Sequence, residues 1–340
     1  MRHSKLAGDR QATLAIVAAE LGLSTATVSR ALHKPHLLNP GTVERVRTMV
    51  DRVGYRPNFL AQNLKTGRTY SILVVVPVLT PSFLEVLRGV QQAAEKAGYF
   101  AAIACSGYDA RREDQYFDQV SSGRADGVLL LSGASAGEAR TSRYRLPPVV
   151  SALDADPAGL FPSIQVDHKT GAGAAVNHLI GLGHRRIAHI AGNPASRIAR
   201  QRREGFLSAM AAAGLAIDAS AITEDFTPEA GASAMERLLS SPQPPTAVFA
   251  ANDELAVGAV GQILKAGLSI PGDIAVIGFD NLLLGRACTP ALTTVDVPMF
   301  DLGRLGMEKL LRVIGGESVV ADEVLPTVII ERSTTARLSS

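Results

Sequence analysis

Near the N-terminus, Thr25-Ala-Thr-Val-Ser-Arg30 combines short side chains with one long cation. On a helix, Thr25, Ala26, Thr27, Ser29 and Arg30 share the outward side, while Val28, Ala31 and Leu32 make the other side apolar. Short side chains at the start of such a helix let its backbone approach base edges in a major groove. Ser and Thr hydroxyls can donate to phosphates, and an arginine reaches further to a base edge or a phosphate. The element that positions this helix precedes it: Leu14, Val17, Ala18 and Leu21 recur at helical spacing after a capping Thr13, Gly22 ends that helix, and Ser24 caps the next. The pair is a helix-turn-helix. By itself it is open to two readings, a DNA-reading surface or an ordinary helical hairpin at the head of an enzyme.

A third helix starts at Asn39 (cap) and Pro40 (first turn) and carries Val43, Val46, Val50 and Val53 on one face as far as Gly54. Three such helices can share a miniature core. Charge follows the same division. Residues 1–68 hold eleven Lys or Arg against four acids, a net of +7, while the other residues sum to −5, so the chain's +2 conceals a basic head on a mildly acidic body. A polyanionic partner for the head alone fits that asymmetry; a solvated basic surface is the plainer reading.

From Tyr70 onward, apolar runs alternate with amphipathic helices: 71–77, 83–97, 100–105, 111–122 and 127–131, then 170–182, 187–191, 200–213, 229–239, 247–251, 254–266 and 275–279. Alternation of this kind is the pattern of parallel strands with crossover helices, and two series make two lobes. Near 294–298 the chain crosses back for one more helix (302–314) and one more strand (324–330). Ligands of open parallel sheets sit beyond the carboxyl ends of the strands, so a cleft there is the place for chemistry. Asp280 ends a buried strand, where a carboxylate accepts from sugar or ribose hydroxyls or caps the following turn. Asn252 ends another, and its neighbour Asp253 is expected to cap a helix. Phe83, after Thr80-Pro-Ser82, either stacks on a sugar or base face or joins the core. Asp154 is a further acceptor; His178, His184 and His189 are scattered singly and read as structural or solvent-facing.

Several function classes find no support. There is no Gly-x-Ser-x-Gly elbow, no Gly-x-x-x-x-Gly-Lys loop and no zinc-ligand spacing, so neither catalysis, a cofactor nor a metal is expected. Cys105 and Cys288 are remote from one another and read as buried apolar fillers. At 340 residues with 46% hydrophobic content the chain can bury sizeable cores. Its longest apolar run, about 72–79, is far too short to cross a bilayer, and no charged-then-apolar signal opens the chain, so no membrane partner and a cytoplasmic location are expected.

Taken together, Ala26-Thr-Val-Ser-Arg30, Gly54-Tyr-Arg-Pro-Asn58 with Leu64 and Thr66-Gly-Arg68, Arg202-x-x-Gly-Phe206, Asn252-Asp253, Gly278-Phe-Asp-Asn281 and Leu292-Thr-Thr294 stand in the order of one family. Over about residues 12–337 the sequence resembles the LacI/GalR family of bacterial transcription regulators. Asp225-Phe-Thr-Pro-Glu-Ala-Gly231 and Pro242-Gln-Pro-Pro-Thr-Ala-Val248 are most similar to its cytidine-repressor branch. Two departures stand out: Ile16 replaces the family's frequent capping-box acid, and Ser82 replaces an aromatic before Phe83.

The resemblance implies an N-terminal all-α helix-turn-helix headpiece plus an α/β periplasmic-binding-protein-like effector domain of two doubly wound lobes. The expected divisions are a disordered basic arm (1–11), the headpiece (12–57), a hinge helix and linker (58–68), and an effector-binding and dimerisation domain (69–340). Within the last, lobe 1 takes about 69–167 and 298–326, and lobe 2 about 168–297 and 327–340. The expected DNA-binding residues are Thr13, Ser24, Thr25, Ala26, Thr27, Ser29, Arg30, Asn39, Tyr55, Asn58, Ala61 and Leu64. The family presses its hinge leucine into the minor groove, which kinks the duplex. The expected effector residues are Phe83, Arg202, Asn252 and Asp280; Arg202 grips hydroxyls or a carbonyl from inside the cleft, and Arg203 points elsewhere.

The implied protein is a homodimeric, cytoplasmic and nucleoid-associated repressor of a catabolic or transport operon. It reads near-palindromic double-stranded operator DNA under control of a hydroxyl-rich effector, a sugar or a nucleoside. The exposed side of lobe 1, including the helix from Phe83, is the candidate dimer surface. The family's tetramers carry a Leu-rich tail, whereas Thr-Thr-Ala-Arg-Leu-Ser-Ser follows here, so a dimer is expected. An activator or global regulator of the same family is the nearest rival. A solute-binding receptor accounts for the lobes but not for the basic head, and a flavodoxin-like enzyme lacks catalytic residues.

Overall fold

The computed structural model describes residues 12–55, 67–131, 147–153, 159–217, 220–223, 225–320 and 322–337. The expected arm (1–11), Asn58, Ala61 and Leu64 of the expected hinge, and Asp154 lie outside the described residues. The chain divides into two compact units, 1–69 and 70–340.

In the first unit, α1 (Leu14–Leu21), α2 (Thr25–His33) and α3 (Pro40–Val53) follow their local signals. Each begins where a side-chain oxygen takes an otherwise orphaned backbone N–H. Thr13 accepts from Ile16 at 3.4 Å, Ser24 from Thr27 at 3.1 Å and Asn39 from Gly41 at 2.8 Å. Gly22 (φ 64°) and Gly54 (φ 65°) end α1 and α3 in the left-handed region that glycine enters without a Cβ clash. A 3-10 turn, Pro35–Leu37, joins α2 to α3. Val17, Ala18, Val28, Ala31 and Val46 form the core, ringed by Leu14, Leu21, Leu38, Val50, Val53 and Tyr55.

The second unit holds two six-stranded sheets. The chain first lays down β1 (Ser71–Val76), α4 (Pro81–Lys96), β2 (Phe100–Cys105), α5 (Ala110–Gln119), β3 (Gly127–Leu130), β4 (Val149–Leu153) and β5 (Ser163–Val166). It crosses into α6 (His168–Gly181), β6 (Ile187–Ile190), α7 (Arg197–Ala212), β7 (Ser220–Ala221), α8 (Pro228–Leu239), β8 (Ala247–Ala250), α9 (Asp253–Lys265), β9 (Ala275–Phe279), α10 (Leu283–Ala287) and β10 (Thr293–Asp296). It returns for α11 (Met299–Ile314) and β11 (Asp322–Leu325) and ends on β12 (Val328–Ile330). The orders are β11-β5-β4-β3-β1-β2 in lobe 1 and β12-β10-β9-β8-β6-β7 in lobe 2. All pairs are parallel except β10 with β12.

Helices cover both faces of such sheets, which is why inner strands are apolar without alternation: Val74, Val75 and Val76 are all fully buried. Close helix pairing depends on glycine. A Cβ on Gly303 of α11 would collide with the Val86 carbonyl of α4, and one on Gly258 of α9 with the Pro228 carbonyl of α8.

Two expectations are corrected. The single strand expected over 324–330 is two strands in different sheets: Val324 pairs with Gln165 in lobe 1, and Ile329 with Val295 in lobe 2. Pro326 and Thr327 lie at the crossing between them, and proline, which has no N–H to donate, suits a strand break. The cysteines are half-buried rather than buried fillers, and the Cys288 thiol donates to the carbonyls of Gly285 (3.2 Å) and Pro290 (3.1 Å).

Candidate functional site

On the headpiece, Ser24, Thr25, Ala26, Arg30 and Asn39 are exposed, and Thr27 and Ser29 are half-buried. Ser24 and Thr27 share a hydroxyl contact at 2.8 Å, so the start of α2 carries a fixed pair of hydroxyls beside exposed short side chains. Thr13, Ser24 and Asn39 spend a side-chain oxygen on their caps, which orients the helix starts. Tyr55 packs half-buried against the headpiece core.

In the second unit a cleft lies between the lobes, and Phe83, Arg202, Asn252 and Asp280 all line it. Around them stand Thr80, Ser82, Tyr108 and Leu153 from lobe 1 and Ser196 and Phe226 from lobe 2. Arg202, on the first turns of α7, is 3% exposed. Its Nη2 donates to Asp280 Oδ1 at 2.7 Å, its Nη1 to the Ala251 carbonyl at 2.5 Å, and its guanidinium lies 3.8 Å from the Phe279 ring centroid. Fixed on three sides, its guanidinium has little side-chain freedom left to lose.

Asp280 follows β9 with φ 102°, and Asn281 follows with φ 54°. Both values lie in a region that L-residues rarely adopt, and the neighbourhood holds them there. The Asp280 amide donates to Val295 at 2.8 Å, and Asn281 donates to Asp296 at 2.7 Å and accepts from Arg332. Arg202 engages Asp280 Oδ1, and the Asp280 residue lines the cleft.

The capping expected of Asp253 belongs to Asn252. Asn252 Oδ1 accepts from the Leu255 amide at 2.9 Å and starts α9, whereas fully buried Asp253 accepts from the Leu282 amide and the Thr294 hydroxyl, both at 2.6 Å. Asp253 thus ties three segments of lobe 2, and burial pushes its pKa up to about 7.

Phe83 is 9% exposed, belonging to the lobe 1 core while one side faces the cleft. Its neighbour Ser82, in place of the family's aromatic, donates to Glu254 across the cleft at 3.3 Å. Glu254 also accepts from Asn252 Nδ2 at 3.2 Å, and burial raises its pKa to about 7. Arg203 is exposed. His189 stacks between Phe206 and Phe249, with centroids at 5.0 and 4.8 Å, and His184 joins Thr246 to the Ala336 carbonyl.

Sequence reasoning missed Glu254, Ser196, Tyr108, Phe226 and His168. Glu254 and His168 each sit one or two places after an Asn or Asp that starts a helix, and only tertiary contact distinguishes them from ordinary first-turn residues. Among the described residues no group of three or more His, Cys, Asp or Glu is placed to hold a metal ion, and no single helix is long and apolar enough to cross a membrane.

Comparison with known proteins agrees with this arrangement. Residues 13–58 match the family model described as bacterial regulatory proteins, lacI family, and residues 176–335 match that of a periplasmic binding protein-like domain. The chain is 38% identical over 311 residues to the HTH-type transcriptional repressor CytR of Escherichia coli K12, covering 91% of each. It is similar in fold to the lac repressor in a dimer bound to operator and the anti-inducer ONPF, with TM-score 0.85 and 26% identity over 96% of this chain and 100% of that one. A LacI family regulator from Enterococcus faecium with bound ribose aligns at TM-score 0.69 and 28% identity, over 79% of this chain and 100% of that one. A helix-turn-helix whose second helix exposes Thr25, Ala26 and Arg30, a two-lobed unit with Arg202, Asn252 and Asp280 on its cleft wall and these likenesses lead to one conclusion: the chain belongs to the LacI family of bacterial regulatory proteins.

Proposed function

We propose that the protein is a cytoplasmic, sequence-specific transcriptional repressor that acts as a homodimer on a near-palindromic operator, controlled by a small hydroxyl-rich effector in the interlobe cleft. The observation that carries the reading is the coexistence, in one chain, of an exposed Thr25-Ala26-Arg30 surface on a capped helix and a buried Arg202–Asp280 pair lining a cleft. The first suits base edges and phosphates. The second places the remaining Nη1 N–H of a held guanidinium beside a carboxylate on one cleft wall, a donor next to an acceptor, which suits a hydroxyl-bearing ligand. Ribose bound to the Enterococcus faecium relative and the likeness to CytR support a sugar or a nucleoside for this chain. The protein binds rather than catalyses.

One headpiece contacts too few base pairs for operator specificity, so two copies reading two half-sites are required. Leu84 on α4 (58% exposed) and Phe100 and Ile103 on the edge strand β2 (68% and 48%) make the outer side of lobe 1 apolar, which supports a second copy there. An effector changes operator affinity only by binding one lobe arrangement better than the other. Fluorescence anisotropy on DNA from upstream of its own gene, across salt and with D-ribose or cytidine added, tests the reading. Tight, salt-steep binding weakened by one ligand is the expected result. Binding no tighter than to unrelated DNA overturns it for that site, and a rise in promoter activity with the protein favours an activator.

A further inference from the structure

We infer that His168 is a positioning residue of the effector site: as the neutral Nε2–H tautomer it accepts from Arg202 at Nδ1 and donates to the Leu153 carbonyl at Nε2, tying the grip of lobe 2 to β4 of lobe 1. The inference rests on the reading of the cleft as an effector site.

His168 is 1% exposed and opens α6, immediately after the chain leaves β5 for lobe 2. Its backbone is held by Asp167, which accepts from the Thr170 amide at 2.9 Å and caps the helix. Nδ1 lies 3.4 Å from Arg202 Nε and 3.3 Å from Nη2. A guanidinium has only N–H donors and stays charged, so Nδ1 must offer its lone pair. The ring proton therefore sits on Nε2, 3.3 Å from the Leu153 carbonyl oxygen, which can only accept. Both partners independently require the same tautomer.

The groups facing the imidazole agree with a neutral ring. Arg202 approaches from α7, with Asp280 behind it on the same Nη2; Phe279 of β9 lies at a ring-centroid distance of 6.0 Å; the Leu153 carbonyl comes from β4. Burial chiefly, and the Arg202 charge next, hold the His168 pKa well below the usual imidazole value, against the opposing pull of the Leu153 carbonyl. A protonated ring would set two cations against one another in a water-poor interior.

The contact at the far end has consequences for coupling. Leu153 has φ 84°, rare for leucine, and lines the cleft. Any displacement of the guanidinium by a ligand is passed through one rigid ring to a lobe 1 residue on the cleft wall. His168 touches no ligand in this scheme; it fixes the guanidinium that does.

The test uses the full chain. Long-range ¹H–¹⁵N spectra of histidine-labelled protein should show His168 with a bare Nδ1 and a protonated Nε2, unchanged between about pH 5 and 8, the range in which an unperturbed imidazole changes charge. Calorimetry with D-ribose and with cytidine as probes should show His168→Leu binding at least about tenfold more weakly than wild type, as is typical when an orienting partner is removed. His168→Asn, whose Oδ1 can stand in for Nδ1, should recover most of that loss. A His168 that takes up a proton between about pH 5 and 8, or His168→Leu binding as tightly as a wild type that does bind, overturns the inference and leaves the effector reading standing. Equal impairment of the Leu and Asn variants overturns it too, since a role in packing alone gives no rescue. A wild type that binds neither probe overturns the effector reading first and the positioning role with it.

Discussion

Polar residues are deployed in opposite ways in the two units. On the headpiece, Ser24, Thr25 and Arg30 are exposed, whereas in the cleft Arg202, Asn252, Glu254 and Asp280 are 3%, 3%, 5% and 6% exposed and bonded to one another or to the backbone. An exposed arginine keeps its hydration until it meets a phosphate or base, so its contribution appears in complex formation and is screened by salt. A buried arginine was desolvated on folding and is held only while its partners remain. The contrast teaches that the headpiece is suited to contacts that form and break, and the cleft to recognition by groups oriented in advance.

The largest effect that can break this contrast is in the cleft. Arg202→Ala leaves Asp280 buried without its cation, and chemical denaturation should show a loss of about 3–5 kcal/mol, as for other broken buried pairs. A loss under about 1 kcal/mol would mean that the pair is as dispensable as a surface bridge. Arg30→Ala should do the reverse. Anisotropy should show operator binding weakened by about 1–3 kcal/mol, while stability changes by less than about 0.5 kcal/mol. A clear drop in Tm would place Arg30 in the fold rather than on a reading surface.

The smallest effect sharpens the comparison within the cleft. Glu254 has a folded pKa of about 7, raised chiefly by burial and then by Asp280, and lowered by its bonds from Ser82 and Asn252. Because the folded chain holds that proton more tightly than the unfolded one, the stability linked to it is fully present below about pH 4.5 and is lost as pH rises through about 7. Glu254→Gln stays neutral, so Tm measured between about pH 5 and 8 should fall less with rising pH than in wild type. Asp253 carries a shift of the same sign, and His168, His184 and His189, all lowered, work the other way. The difference between variant and wild type therefore isolates Glu254, and parallel curves would mean that this carboxyl titrates as if exposed.

Ser82 shows why parts of the cleft were not legible. In sequence it stands out only as a departure from the family's aromatic, yet its hydroxyl meets Glu254, 172 residues away. His168 meets Arg202 at a separation of 34 residues, and nothing in the local pattern distinguishes it from any first-turn residue. The last strand failed for a different reason: Pro326 marks a break within 324–330, but that the two halves pair with different sheets is decided only by where the two sheet edges lie. The swap of roles between Asn252 and Asp253 has the same origin, since both residue types cap helices and the choice depended on Leu282 and Thr294 arriving beside Asp253.

What the amino-acid sequence determined by itself is most of what acts over three or four residues. The caps at Thr13, Ser24 and Asn39, the left-handed stops at Gly22 and Gly54, the apolar face of each headpiece helix and the strand–helix alternation of the two lobes are all of this kind, because they depend on backbone hydrogen bonding and side-chain periodicity. Only the tertiary structure decided which polar groups share a desolvated space. The Arg202–Asp280–His168 cluster and the Ser82–Glu254 contact join segments that the chain keeps far apart, and burial there lowers the His168 pKa and raises that of Glu254.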